Sequence, residues 1–380
     1  MPKSTKKIYL DYAASVSPNP SSIHELGILA KQKLETARAI TAETLQARPV
    51  EIIFTSGGTE GNNLAIQGTV FAAPFFPHII TTNIEHPSVL ETCKLLEKRK
   101  LAQISIVPVE ANGIVDSKKI RQAIRKNTIL VSVMYANNEI GTIQPIKEIA
   151  REIRHYKKIH KRNNLYFHTD AVQGANYLDL SVEKLGVDML TLSGSKIENA
   201  GKIGVLYKRK NVLLAGVFGG GDQEFGLRPG TENLPEILKF VQAFGVARKI
   251  KDKETKRLTK LRDYFIIKLS RMPLDMKVNG DQKNRLPNNV NITFPKIPSD
   301  LLVLELSAWG VMCSSKSACK SSRVDGSYVI KALRPNADPE IGGVRFSLGP
   351  DTTKKDVDYT IKALAQILTK LKKWYTHTPI

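Results

Sequence analysis

A lysine at the end of a buried strand is an uncommon choice, because a desolvated ammonium gives up hydration that an apolar core does not replace. The stretch TLSGSKIENAGKIG (191–204) makes that choice at Lys196. The apolar run VDML (187–190) leads into it and reads as a short buried strand, and small and glycine residues then clear space around the amine. In a polar, secluded site a lysine falls below its ordinary pKa of about 10.4 and becomes a nucleophilic amine. Upstream, Asp170 follows the strand-like YFHT, with Gln173 just beyond it. A carboxylate at such a place is costly unless it meets a cation, although a helix cap is the plainer alternative. Earlier still, Gly57-Gly58-Thr59-Glu60 follows EIIFTS (51–56) and opens a helix. Glycines let backbone N–H groups approach closely, and a helix N-terminus favours an anion such as phosphate. The Gly-Lys-Ser/Thr spacing of a nucleotide P-loop is absent. Phosphate cradle, buried carboxylate and isolated lysine together match the needs of pyridoxal phosphate: an anchor, a partner for the pyridinium and an amine for the aldehyde.

A second reactive group is Cys319, in SSKSACKSS (314–322). Serines and lysines suit a polar loop there, and Lys316 and Lys320 should lower the thiol below its free value of about 8.5. Cys93 lies in the helical pattern SVLETCKLLEKRK and Cys313 follows Val311-Met312; both read as packing residues. His86, in IEHPSVL after a strand, is a proton-handling candidate against the alternative of a core histidine. Arg345, in VRFSLG, is a carboxylate clamp against the alternative of a structural ion pair. His24, His155, His160 and His377 show no metal-ligand spacing, so no metal is expected.

Elements that would position these groups alternate along the chain. Helical spacing covers 23–46, strand-like EIIFTS precedes a helix from about Glu60, and HIITTN (78–83), QISIVPV (103–109), TILVSVMYA (128–136), NLYFHTDAVQ (164–173) and 187–193 read as further strands. Helices at 87–99, 116–126 and 145–158 separate them. This spacing predicts βαβ units and a mostly parallel sheet. After residue 245 the texture changes to a charged helix (247–272), the short strands NNVNITF and VRFSLG, the helix LLVLELSAWG and a closing amphipathic helix from Thr353. A large domain over 13–245 and a smaller α+β domain made of 1–12 with 246–380 are expected.

With 380 residues, 42% hydrophobic and 24% charged, the chain has the composition of an ordinary soluble globular protein. Its most apolar stretch, FAAPFFPHII, is broken by Pro74 and Pro77, and MPKSTKKIYLDYAAS lacks the apolar core of a secretion signal. Three cysteines argue against a disulfide framework and for a cytoplasmic address. The net charge of +21, with a knot at KKIHKRNN (157–164), suits a phosphate-binding surface or a solvated exterior. No stacking aromatics interleave the run, which favours the solvated exterior over direct nucleic-acid binding.

The stretches FTSGGTEGNNLAI, IEHPSVLETC, ANNEIGTIQPI, HTDAVQ, LSGSK, LRPGTEN, SSKSAC and VRFSLG resemble the NifS/IscS-type (group I) cysteine desulfurases, within the fold-type I pyridoxal-phosphate enzymes, over nearly the full length. That resemblance implies a homodimer converting L-cysteine to L-alanine and leaving the sulfur on Cys319 as a persulfide. The acceptor would be an iron–sulfur scaffold or a tRNA-thiolation enzyme. It implies that Lys196 bonds the cofactor's aldehyde, that Asp170 pairs with the pyridine nitrogen, and that Gln173 and Asn138 address the ring hydroxyl and its surroundings. His86 would stack on the ring and help move protons. Gly58, Thr59, Ser193 and Ser195 would hold the phosphate, with Thr231 reaching it from the other subunit, and Arg345 would bind the substrate carboxylate. The chain departs from the family pattern at Ser195, where His is usual, in ENAGK (198–202), in GGGDQEFG (219–226) and at Lys316. Selenocysteine lyase, another fold-type I activity, and a catalytically weakened binding relative stay open as alternatives.

Overall fold

The computed structural model describes residues 8–273, 275–295, 297–315, 326–336 and 342–375. Through the first half, strands and helices alternate: α1 (Glu25–Leu45), β1 (Ile52–Thr55), α2 (Gly58–Phe71), β2 (His78–Thr82), α3 (Pro87–Lys98), β3 (Gln103–Val107), α4 (Ser117–Ala123) and β4 (Thr128–Ser132). The series continues with α5 (Ile146–Ile159), β5 (Tyr166–Asp170), α6 (Val182–Leu185), β6 (Met189–Ser193) and β7 (Gly204–Lys208). These strands form one sheet in the order β1-β7-β6-β5-β4-β2-β3. Strands β2 to β6 pair in parallel, and β7 runs antiparallel to both β6 and β1. Every residue of β1, β2, β4, β5 and β6 is buried, as a sheet covered on both faces requires. The mostly parallel α/β architecture expected from the alternation is the one found.

Several details differ from the sequence reading. The strand expected from residue 187 begins at Met189, and Asp188 just before it accepts the Phe167 N–H on its carboxylate at 2.9 Å. Strand β7 went unnoticed: its five residues lie between glycine-rich and lysine-rich chain, and its antiparallel pairing breaks the βαβ rhythm.

The second half adds α7 (Leu234–Ser270), β8 (Lys277–Val278), β9 (Asn289–Thr293), α8 (Ser299–Ala308), α9 (Tyr328–Leu333), β10 (Val344–Ser347) and α10 (Lys354–Tyr375). Helix α7, expected from Ala247, already starts at Leu234, where Asn233 Oδ1 accepts the Glu236 N–H and Pro235 occupies the first turn. Its first half buries Ile237, Phe240 and Phe244 with the parallel sheet. Its second half buries Leu258, Leu261 and Phe265 in a separate core, with an antiparallel sheet of order β10-β9-β8. The helix therefore ties two cores together, and a cleft opens beside it.

The glycine-rich segment 219–226 is fixed by a buried ion pair. Glu224 (φ 47°) and Phe225 (φ 61°) both take left-handed backbone, an expensive conformation for non-glycine residues. Glu224 accepts Arg38 Nη1 and Nη2, each at 2.8 Å, and the Phe54 N–H at 2.8 Å. The guanidinium also lies 5.2 Å from the ring centres of Phe54 and Phe225. Both side chains are buried, 3% and 2% exposed. Arg38→Met strands Glu224 without its cation and should cost about 3–5 kcal/mol. Urea denaturation measures this as a lower midpoint at unchanged slope; a loss under about 1 kcal/mol would mean the pair is worth no more than an exposed one.

Candidate active site

In open α/β sheets ligands sit beyond the carboxyl ends of the strands. Here those ends deliver the residues singled out above. Strand β6 ends at Ser193 and passes directly into a single 3-10 turn, Gly194–Lys196. A Cβ on Gly194 would lie 2.9 Å from the carbonyl oxygens of Ala200 and Gly201, so only glycine lets the returning chain close over this turn. Asn176 Nδ2 donates to the Lys196 carbonyl at 2.7 Å and fixes the turn from the far side. Lys196 is exposed, not secluded as expected, because the turn projects past the sheet edge into a cleft of 640 Å³.

That cleft brings Lys196, Asn138, Gln173 and Arg345 onto one lining, together with Asn288 and the first half of α7. Arg345, on β10, donates Nη1 to the Asn138 carbonyl at 3.0 Å. Burial pulls its pKa below the usual arginine value while Glu139 opposes the shift. Three buried polar atoms of this lining lack a hydrogen-bond partner among the described residues: Asn138 Oδ1, Asn288 Oδ1 and Arg345 Nε. Each such atom costs about 1–3 kcal/mol when left unmet; the Arg345 donor suits a carboxylate and the two amide oxygens suit a donor such as an amine, so the cleft suits a small polar ligand.

Asp170, at the end of β5, is 5% exposed. Its Oδ1 accepts the Val172 N–H at 3.0 Å, and its Oδ2 accepts Asn62 Nδ2 at 2.7 Å. The other proton of that amide goes to Ser88 Oγ at 2.8 Å, and Ser88 Oγ lies 2.8 Å from His86 Nδ1. His86 Nδ1 also accepts the Ser88 N–H at 3.1 Å as the cap of α3. Burial lowers the His86 pKa, with Lys196 acting in the same direction and Asp170 against it. A neutral ring with Nδ1 accepting carries its proton on Nε2. Asp170, Asn62, Ser88 and His86 thus form one relay, in which Asn62 and Ser88 were not foreseen. The sign available in sequence was Asn62 itself, a polar residue on the sheet-facing side of α2.

The N-terminus of α2 meets the ends of β5 and β6. A Cβ on Gly58 would come within 2.8 Å of Val172 Cγ2 and 3.3 Å of Ser193 Cβ, so the approach depends on glycine. Ser193 Oγ lies 2.9 Å from Ser195 Oγ, and Ser195 and Thr59 are exposed. Free N–H groups, two hydroxyls and a glycine-permitted gap make a cradle that fits a phosphate. With the buried carboxylate of Asp170 and the amine of Lys196, the residues present fit pyridoxal phosphate. Thr231 stands apart from Lys196 and shares with Thr59 a second, shallower cleft of 960 Å³. Cys319 lies outside the described residues. Cys93 is fully buried and its thiol is pushed up to about 12 by burial; Cys313 is half-buried and pushed up to about 11, so both read as inert packing groups. Among the described residues no His, Cys, Asp and Glu cluster could hold a metal ion, and no helix is long and apolar enough to cross a membrane.

Sheet order, strand-end lysine and phosphate cradle define a fold-type I pyridoxal-phosphate enzyme. A cysteine desulfurase IscS of Dictyoglomus turgidum is 42% identical over 385 residues, covering 97% of this chain and 96% of its own. A cysteine desulfurase IscS of Methanosarcina thermophila is 42% identical, covering 99% and 91%. The solved structure of a NifS-like protein superposes with a TM-score of 0.84 at 33% identity, covering 93% of this chain and 92% of that one. The aminotransferase class-V model matches residues 2–360, and the chain belongs to that family.

Proposed function

We propose that this chain is a pyridoxal-phosphate-dependent cysteine desulfurase, converting L-cysteine to L-alanine and passing the sulfur to Cys319 as a persulfide. The observation that carries the reading is the convergence of Lys196, Asn138 and Arg345 on one cleft whose buried polar atoms lack partners. When bound, the cofactor supplies an electron-withdrawing ring that stabilises negative charge at the substrate α-carbon. The chain's own groups do the rest. Lys196 Nζ would hold the cofactor through its aldehyde and, once free, would be the base that takes the α-proton. Asp170, held by Asn62 and the Val172 N–H, would face the ring nitrogen, and Gln173 would reach the ring hydroxyl. His86, whose Nδ1 is engaged by Ser88, would stack on the ring and offer its Nε2 proton. Gly58, Thr59, Ser193 and Ser195 hold the phosphate, and Arg345 and Asn138 orient the substrate carboxylate.

Two further parts belong to the same reading. The chain works as a homodimer in which Thr231 reaches the partner's phosphate site, and it gives its sulfur to an iron–sulfur scaffold or a tRNA-thiolation enzyme in the cytoplasm. Residues 13–245 form the cofactor-binding domain, while 1–12 with 246–380 form the smaller one that brings Arg345 and Cys319. The test is to incubate the cofactor-loaded protein with L-cysteine without reductant and measure alanine and protein-bound persulfide together. One alanine per persulfide in the first turnover is expected; no alanine at all overturns the reading.

A further inference from the structure

Glu60 raises an electrostatic problem that the structure answers. It stands in the first turn of α2, where a carboxylate competes with any phosphate for the positive end of the helix. This inference rests on the reading above that the cofactor's phosphate occupies that end. The Glu60 side chain is only 12% exposed, and both its oxygens are engaged. Oε2 accepts the Ser56 N–H at 2.6 Å, which fixes the turn that delivers Gly57 and Gly58 to the cradle. Oε1 accepts Arg228 Nε at 2.9 Å. Burial works against the charge, but the hydrogen bonds from Arg228 and Ser56 outweigh it and hold the carboxyl below its usual range.

Arg228 comes from the segment that carries Thr231, and the two line the 960 Å³ cleft with Thr59 and Glu60. That segment has anchors of its own. Glu224 is clamped by Arg38, and Gln223 Oε1 accepts the Gly230 N–H at 3.1 Å. Beside those anchors, the Arg228 guanidinium adds a positive charge against Glu60, next to the cradle. We propose that Arg228 is a positioning residue of the phosphate site, cancelling the charge of Glu60 so that Glu60 can shape the Ser56–Gly58 turn without repelling the phosphate.

The sign of the effect separates this role from a merely structural ion pair. Arg228→Met leaves a bare carboxylate beside the phosphate and should weaken cofactor retention about 10–100-fold, since partly buried charges a few ångströms apart interact strongly. Glu60→Gln keeps an acceptor for the Ser56 N–H and removes the charge, so retention should stay within about threefold of wild type. Adding Glu60→Gln to Arg228→Met should restore most of the loss, a non-additivity expected only of groups that interact. The experiment dilutes each holoenzyme serially and reads retained cofactor by its visible absorbance, with the thermal midpoint of each variant recorded alongside. Unchanged retention in Arg228→Met, or a double variant no better than Arg228→Met, overturns the proposal, whatever happens to the midpoints. Wild type that shows no borohydride-trapped cofactor at Lys196 by mass spectrometry overturns the parent reading as well.

Discussion

Lys196→Ala should lower alanine formation from L-cysteine by at least about 10³-fold, because in the proposed reaction one amine would both bond the cofactor and move the α-proton, and a positioned proton-transfer group alone contributes about 10²–10⁴-fold. The structure makes this a clean test. Lys196 is exposed in the cleft, and its turn is held by backbone and Asn176 contacts that the side chain does not make: Asn176 Nδ2 to the Lys196 carbonyl at 2.7 Å and the Ile197 N–H to the Gly194 carbonyl at 2.8 Å. Truncating an exposed side chain away from such features changes stability by no more than about 0.5 kcal/mol. The thermal midpoint should therefore stay put while activity and the borohydride-trapped adduct disappear together. Near-normal turnover in this variant would remove the lysine from the mechanism and with it the reason for the cleft.

Legibility in the sequence followed the physics of each feature. The parallel sheet was readable because strands buried on both faces leave near-continuous runs such as TILVS in β4 and MLTLS in β6, and helices of opposite texture separate them. The antiparallel β7 was hidden because nothing in five residues of GVLYK states a direction; pairing with β1 and β6 decides it. Helix α7 was read short because its first turns, from Leu234, are too apolar to resemble the charged second half, and the reason lies in tertiary structure: the two halves serve different cores.

The site divides in the same way. Lys196, Asp170 and the glycine turn could be named because each residue type is costly at its position unless it is used. Arg345 and Asn138 are brought beside Lys196 only by the fold, across 207 positions of chain in the case of their mutual hydrogen bond. Ser88 and Asn176 carried no such signal, since amides and hydroxyls are ordinary in helices and turns, and Asn62 showed only as a polar residue on the sheet-facing side of its helix; bond partners give all three a part. Arg38 is the sharper case. Within a helix it resembles any basic surface residue, yet it is 3% exposed and clamps a carboxylate from the glycine-rich segment 186 positions away. The seclusion expected around Lys196 was an inference from small neighbours, and those neighbours open the edge of the sheet as readily as they enclose it.

Cys319→Ser should abolish the protein-bound persulfide and cut alanine formation at least about 10²-fold, while Cys313→Ser should stay within about twofold of wild type. Sulfur leaves carbon in this reaction only if something accepts it as the bond breaks. In the proposed reaction the Cys319 thiolate would attack the substrate sulfur, an S–S bond would form, and the electron pair of the broken C–S bond would remain on the β-carbon, which a proton would convert to the methyl group of alanine. No outside oxidant is needed, because the sulfur is oxidised by the carbon that is reduced. A serine hydroxyl cannot serve: it is not ionised near neutral pH, and an O–S product offers no comparable bond. The other two thiols are poor substitutes, since burial holds Cys93 at about 12 and Cys313 at about 11, which leaves little thiolate at neutral pH. Lys316 and Lys320 flank Cys319 in the sequence SSKSACKSS, and cations near a thiol lower its pKa. Mass spectrometry of cysteine-treated protein should thus find the added sulfur at position 319. Persulfide on Cys313, or full alanine production by Cys319→Ser, would assign the sulfur transfer elsewhere.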